Sequence, residues 1–166
     1  HREATERLLQ ETLGFREAGE TEQSRRYAIG DGGPSTLVDV REVGGFVRAV
    51  EGPGTVHHVA FRVADDDAAL SVRASVMAAG LDATPQVDRS YFRSVYFREP
   101  GGVLFEVATD GPGFTIDEPV ASLGESLKLP PELEWRRLYL EASLFPIHLP
   151  VPPGAAGLIG GAEDER

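Results

Sequence analysis

The sequence contains no cysteine, one methionine and one tryptophan among its 166 residues, and it has few basic side chains. Without cysteine, a disulfide framework, a thiolate nucleophile and a cysteine-ligated zinc or iron–sulfur site are all excluded. Any metal must therefore be held by histidine and carboxylate. Lys and Arg total 16 against 27 Asp and Glu, a formal net charge of -11 that argues against nucleic-acid binding. No apolar run approaches the roughly 18 residues that predict a membrane span.

What the sequence does contain is a repeated order of one helix followed by short alternating strands. Helices are predicted over 2–13 and from Asp65 to Gly80. Strands are predicted over 15–17, 25–29, 36–43, 57–63, 82–89, 94–98 and 103–109. This order indicates an α+β fold of two βαβββ modules that form an open cup-shaped mixed sheet. The first module lacks its first strand, which we expect upstream of His1.

Domain boundaries follow from the same pattern. Residues 1–50 are the partial first module, with a Gly-rich linker starting at residue 44, and residues 51–112 are the second. Residues 113–149 are a Pro-rich extension with a short helix over 131–144, and residues 150–166 are predicted to be a flexible tail. Tyr27 and Tyr96 are assigned to matching strands of the two modules, and Asp39 takes the place that Glu106 has in the second.

The candidate chemistry lies on the first and last strands of the second module. Alternation puts His57 and His58 on opposite faces of a strand, so the two cannot bind one metal. His58 falls on the less apolar face, away from the helix. Glu106 interrupts an apolar strand, where a carboxylate is costly unless it is paired, protonated or bound to a metal. One His and one carboxylate facing the same cavity are two-thirds of the His-His-carboxylate triad that suits Fe(II) and leaves positions open for substrate and O2.

Two stretches, HHVAFRV over 57–63 and YFRSVYFREPGGVLFEVATDGPGF over 91–114, resemble the vicinal oxygen chelate superfamily. Within it, the chain is similar to the C-terminal half of ring-cleaving extradiol dioxygenases of the hydroquinone and catechol type. The resemblance covers about residues 2–149 and is strongest over 54–118. It implies paired βαβββ modules around a metal.

The resemblance also implies roles for individual residues. His58 and Glu106 match two of the three family ligands to Fe(II) or Mn(II), and the third, a His, is expected upstream of residue 1. Tyr96, ten residues before Glu106, matches a tyrosine that hydrogen-bonds a substrate hydroxyl. The related acid–base histidine has no counterpart, because no His occurs from residue 59 to residue 147. Arg89, Tyr91 or a residue outside the chain is expected to transfer protons instead.

Other polar residues receive structural interpretations. His57 and His148 are expected to pack, and the acidic run 65–67 is expected to start a helix. Asp39 is not expected to bind metal, because the family has no carboxylate ligand in its first module.

The function implied is that of a metal-dependent, extradiol-type dioxygenase that opens a dihydroxylated aromatic ring with O2 in the catabolism of aromatic compounds. As a C-terminal fragment, the chain is expected to lack one of the three metal ligands, a deficit that can leave it inactive. Its expected partners are a small aromatic diol and O2, not nucleic acid or a membrane, together with a second copy or the missing N-terminal half. A cytoplasmic location is expected. The alternatives are a glyoxalase-like metal-dependent isomerase or lyase, and a metal-free protein that binds aromatic ligands, as bleomycin-resistance proteins do.

Overall fold

A computed structural model describes residues 2–44, 50 and 52–145 of the chain. The chain divides into two compact units, His1–Glu125 and Ser126–Arg166. Both predicted modules lie in the first unit, and their boundary at residue 50 stays a prediction. The predicted tail over 150–166, together with His1 and His148, lies outside the described residues.

The first module is a helix followed by a three-stranded antiparallel sheet. Helix α1 (Arg2–Arg7) continues as a π-helical turn over Leu8–Thr12. The turn ends before Gly14, whose φ of 76° is the left-handed conformation that glycine adopts without strain. The strands that follow are β1 (Arg16–Glu20), β2 (Ser24–Ala28) and β3 (Leu37–Arg41), in the order β1-β2-β3.

The second module contains the full βαβββ order. Its elements are β4 (Val59–Val63), α2 (Asp66–Ala78), β5 (Val87–Asp88), β6 (Arg93–Arg98) and β7 (Leu104–Thr109). The sheet order is β4-β7-β6-β5, with β4 parallel to β7 and the other pairs antiparallel. The predicted α+β class is confirmed, with the strands divided between an antiparallel and a mixed sheet.

Three predicted strands are too long by two residues or more, and the one predicted over 36–43 is limited to β3, Leu37–Arg41. The strand predicted over 82–89 is reduced to β5 and one isolated bridge between Ala83 and Phe97. Pro85 lies between them and has no N–H to donate to a sheet ladder. The strand predicted over 57–63 begins only at Val59, where pairing with Phe105 of β7 starts.

The apolar faces of both modules meet in one core. Its buried side chains are Leu8, Leu9, Phe15, Tyr27, Ala69, Val76, Phe97, Phe105 and Val107. A row of edge-to-face aromatic contacts crosses it: Phe15 to Phe61 at 5.6 Å, Phe61 to Phe105 at 5.0 Å, and Phe105 to Phe97 at 5.8 Å between ring centroids. Such pairs add roughly 0.5–1.5 kcal/mol each to the burial itself. This core fixes which face of β7 is apolar and leaves the other face for polar side chains.

The extension contains short helices. Two 3-10 turns, Phe114–Ile116 and Val120–Ser122, belong to the first unit. In the second unit, a 3-10 helix over Pro131–Arg136 leads into α3 (Arg137–Ser143), so that the predicted helix is present but its first half is wound more tightly. Arg137 bonds to Glu134 and Glu141 on the same helical surface. None of the helices in the described part of the chain has the length and apolar character needed to cross a membrane.

A buried carboxylate, Glu99, links the two modules within the first unit. It is 4% exposed and stands in the turn between β6 and β7. Its Oε2 accepts hydrogen bonds from Thr5 Oγ1 of α1 at 2.5 Å and from the Gly101 N–H at 2.8 Å, and its Oε1 accepts one from the Val103 N–H at 2.8 Å. A Cβ on Gly101 would lie 2.7 Å from Oε1, so a side chain at residue 101 would require the carboxylate to shift.

Replacing Glu99 should therefore destabilise the fold. Glu99→Gln leaves one acceptor oxygen for three donors and turns an amide N–H toward them, so we expect the free energy of unfolding to fall by about 1–3 kcal/mol. Denaturant unfolding measures the change. Glu22→Gln, at an exposed position, is the matched control and should stay within about 0.5 kcal/mol of the unaltered chain. Equal stability of the two variants would contradict the role given to Glu99.

Candidate active site

The site is built around Glu106, a carboxylate in the middle of the central strand pair of the second sheet. On β7 it is opposite Ala60 of β4 on one side and Tyr96 of β6 on the other. Its neighbours Phe105 and Val107 point into the core, as the alternation predicts, and Glu106 points to the opposite face. The residue is only 3% exposed. An ionised carboxylate buried to this extent requires partners, because desolvation alone costs several kcal/mol.

Three side chains supply those partners. His58 Nε2 lies 2.8 Å from Oε2. The Tyr96 hydroxyl donates to Oε1 at 2.6 Å, and the Ser94 hydroxyl donates to the same oxygen. Hydrogen bonds to a charged group contribute about 1.5–3 kcal/mol each, so the three together offset the cost of burial. The two residues predicted as metal ligands are thus in direct contact.

His57 and His58 do not behave as strand residues. Both precede β4, and their Nδ1 atoms are 2.9 Å apart, so that one ring donates a hydrogen bond to the other. The prediction that the two rings lie on opposite faces was wrong, because alternation applies only where the chain is extended and paired. His57 therefore contacts the candidate ligand His58 directly, on the nitrogen opposite the one that faces Glu106.

Of the three predicted catalytic side chains, two join this cluster. Tyr96 contacts Glu106 as described, and Arg89 Nε donates to the Tyr96 hydroxyl at 3.3 Å. The Arg89 guanidinium carbon also lies 5.2 Å from the centre of the Tyr96 ring, within the range of a cation–π contact. The cluster of His58, Ser94, Tyr96 and Glu106 therefore has a cation, the Arg89 guanidinium, next to the Tyr96 phenol.

Tyr91 is the predicted residue that the structure places elsewhere. It lies in the turn between β5 and β6, where its hydroxyl donates to Asp117 Oδ2 at 2.8 Å and its ring packs on Phe114. The bond to the Asp117 carboxylate, followed by desolvation, raises the pKa of the Tyr91 phenol. Its hydrogen bond serves to hold the extension rather than to contact Glu106.

Sequence reasoning missed Ser94. It is completely buried on β6, two residues before Tyr96 and on the same face. A single serine in a strand has no motif of its own. The signal that could have found it is alternation along 94–98, which puts Ser94 and Tyr96 together opposite Glu106 once the pairing of β6 with β7 is known.

The first module has a carboxylate, Asp39, at the position that corresponds to Glu106. Asp39 lies opposite Arg26, which donates to both carboxylate oxygens at 2.7 and 2.8 Å and holds the pKa of Asp39 below its ordinary value. Tyr27 and Tyr96 lie on corresponding strands, β2 and β6, as predicted, but at positions that differ by one residue. Tyr27 is opposite Val38 and in the core, so that Arg26 is the true counterpart of Tyr96.

The acidic run 65–67 starts helix α2, as predicted. The Asp65 side chain caps the helix by accepting from the Ala68 N–H at 2.9 Å. Asp66 pairs with Arg93 at 2.6 Å and also accepts from Gln86. Among the residues that the structure describes, no group of three or more His, Cys, Asp or Glu side chains is placed to hold a metal ion.

The second module is a βαβββ unit in which a histidine and a buried carboxylate meet between the first and last strands. Comparison with known proteins shows which proteins share this fold. No protein-family model matches the chain. A glyoxylase/bleomycin resistance protein/dioxygenase domain from Frankia sp. shares the fold, with a TM-score of 0.55, 17% identity and coverage of 68% of this chain and 86% of that one. The chain therefore has the fold of this domain.

More similar proteins are named as dioxygenases. The chain is 41% identical over 150 residues to "Putative ring-cleaving dioxygenase MhqA" of Bacillus subtilis, covering 87% of this chain and 48% of that protein. It is 36% identical over 140 residues to chlorohydroquinone/hydroquinone 1,2-dioxygenase of Sphingobium indicum, covering 80% and 42%. A crystal structure of a B. subtilis protein described as a dioxygenase matches with a TM-score of 0.80 and 36% identity, covering 89% of this chain and 47% of that one. The chain thus spans about half the length of the curated relatives it matches.

The placement of Tyr91 leads to a titration test. Because the Asp117 carboxylate stabilises the protonated phenol, Asp117→Asn should lower the Tyr91 pKa toward its ordinary value near 10. The ultraviolet absorbance change on ionisation reports it, and subtraction of a Tyr91→Phe variant isolates this tyrosine from the other three. Asp31→Asn, at an exposed position, is the control and should leave the titration unchanged. A Tyr91 pKa that Asp117→Asn does not move would contradict the placement.

Proposed function

We propose that His58 and Glu106 are two protein ligands of a divalent metal ion in a ring-cleaving dioxygenase that opens a dihydroxylated aromatic ring with O2. The observation that carries the proposal is the contact of His58 Nε2 with Glu106 Oε2 at 2.8 Å on a carboxylate that is otherwise buried. Relatives named as ring-cleaving dioxygenases support the reaction class.

The donor set fits such an ion. An imidazole nitrogen and a carboxylate oxygen are ligands that Fe(II) and Mn(II) accept in non-haem oxygenase sites. The two atoms satisfy each other in the chain by itself, and an ion would take over both in place of their hydrogen bond. His57, bonded to the other nitrogen of His58, holds the ring in place as partners of metal-ligating histidines commonly do.

The described residues supply two ligands, and we propose that a histidine outside them is the third. Fe(II) is the ion we propose first, and Mn(II) second. When bound, the ion supplies the charge that neutralises an ionised diphenol and the redox chemistry that activates O2.

The chain's own side chains prepare the site for an aromatic diol. Tyr96 holds one oxygen of Glu106 through its hydroxyl, and Arg89 sets the direction of that hydroxyl. The Arg89 guanidinium adds a positive charge that favours an anionic diol nearby. Substrate hydroxyl recognition by Tyr96, with Arg89 as the charged partner of its hydroxyl, is part of this proposal. The named hydroquinone activity of one relative makes hydroquinones, with catechols, the substrate class to test first.

The test combines metal content with O2 uptake in the native polypeptide that carries this sequence. Glu106→Gln should weaken metal binding by more than about 100-fold, because loss of an outer partner alone costs about 10–100-fold. O2 uptake with a panel of hydroquinones and catechols should be abolished in parallel. His58→Ala should do the same.

Glu22→Gln, an exposed glutamate changed in the same way, should keep full metal content and O2 uptake. Full metal content and O2 uptake in Glu106→Gln would contradict the assignment of Glu106 as a metal ligand. Tight binding of an aromatic diol without metal and without O2 uptake would instead indicate a metal-free binding protein.

A further inference from the structure

We infer that Ser94 is a positioning residue that restricts Glu106 to binding its ion through one oxygen, Oε2. The inference rests on the proposed function, since it concerns the same ion. It starts from an asymmetry in the contacts of the Glu106 carboxylate. Two hydroxyls donate to Oε1, from Ser94 and Tyr96, whereas Oε2 faces the His58 nitrogen at 2.8 Å.

Oε1 has no capacity left for a metal. A carboxylate oxygen presents two lone pairs, and the two O–H donors occupy both. The direction of the Tyr96 bond is fixed, because a carboxylate oxygen can only accept and the Arg89 guanidinium can only donate to the same hydroxyl. The Tyr96 proton must therefore point at Glu106.

Ser94 is the more rigid of the two donors. It is completely buried, so water does not compete for its hydroxyl. Its backbone pairs on both sides, with Val87 of β5 and Ala108 of β7, and places it diagonally across from Glu106. Tyr96 is only partly buried and depends on Arg89, which lies in the turn after β5. The Ser94 hydroxyl thus orients the Glu106 carboxylate more rigidly than the Tyr96 hydroxyl does.

The consequence concerns the number of open positions on the ion. A carboxylate that chelates with both oxygens would occupy one coordination position more and would break both hydroxyl bonds. Binding through Oε2 alone keeps that position free for a ligand that binds through two oxygens, such as an aromatic diol, with O2 as a further ligand. Removing the Ser94 hydroxyl should therefore change the number of oxygens through which Glu106 binds metal as well as the affinity for the metal.

The experiment is a titration of the native polypeptide that carries this sequence with Mn²⁺, followed through the electron paramagnetic resonance signal of the free ion. Ser94→Ala should weaken Mn²⁺ binding by about 10–100-fold, the usual effect of removing a group that orients a ligand. Ser94→Thr, which keeps the hydroxyl, should restore most of the affinity. Ser75→Ala, whose hydroxyl bonds the Ser71 carbonyl on the exposed side of α2, is the matched control and should bind like the unaltered chain.

A second readout tests the orientation itself. The separation between the two carboxylate stretching frequencies in the Mn²⁺-induced infrared difference spectrum is wider for one-oxygen binding than for chelation. We expect it to narrow in Ser94→Ala, and to narrow further when Tyr96→Phe is added. A purely structural role would lower the melting temperature of the metal-free chain and leave both this separation and the affinity unchanged, which would overturn the inference.

The outcomes separate the two proposals. If Glu106→Gln abolishes Mn²⁺ binding and Ser94→Ala does not weaken it, the ligand assignment stands and the role of Ser94 falls. If Glu106→Gln binds Mn²⁺ like the unaltered chain, or the unaltered chain binds none, the proposed metal site falls and takes the inference with it.

Discussion

A carboxylate buried in the middle of a strand is the constraint on which the second module depends. Glu106 is 3% exposed, and its partners come from three different segments: His58 before β4, and Ser94 and Tyr96 on β6, with Arg89 of the preceding turn behind Tyr96. Without them, its desolvation would cost several kcal/mol, a large share of the stability of a small domain. Each partner reaches it only because β7 lies between β4 and β6. The sheet order thus gathers the side chains that compensate the burial of this one carboxylate.

The opposite face of the same strand secures this arrangement. Phe105 and Val107, the neighbours of Glu106, are in the core with Phe97 and with Ala69 and Val76 of α2. A slip of one residue in the pairing of β7 would turn Glu106 into that core and expose both apolar neighbours. The row of aromatic contacts from Phe15 to Phe97 opposes such a slip and connects it to the first module. Packing on one face therefore determines the geometry of polar groups on the other.

Much of this was predictable because period-two alternation is strong along β7 and the helix signals are local. The caps at Asp65 and Gly14, the element order, and the contact of His58 with Glu106 all follow from residues near one another or from strand order. The errors share one physical cause, which is that strand limits are set by pairing with distant partners. His57 and His58 lie outside β4 because its pairing with β7 starts at Val59. Tyr27 and Tyr96 lie on opposite faces of their strands relative to the acid, because Arg26 rather than Tyr27 is paired with Asp39. Ser94 can be recognised as a partner of Glu106 only once β6 is aligned with β7.

The comparison of the two modules shows what separates a structural carboxylate from a candidate ligand. Asp39 and Glu106 occupy corresponding places on β3 and β7, the last strands of their modules. Asp39 is paired with Arg26, and Glu106 is paired with Tyr96. Arg26 donates one hydrogen bond to each oxygen of Asp39, and the pair is 50% and 44% exposed. At Glu106 the donors are hydroxyls gathered on one oxygen, and the partner of the other oxygen is an imidazole that can itself bind metal. The first module thus neutralises its carboxylate with a permanent cation, whereas the second surrounds its carboxylate with hydroxyls and an imidazole. That difference in partner, rather than the position of the acid in the repeat, makes the second module the one suited to chemistry.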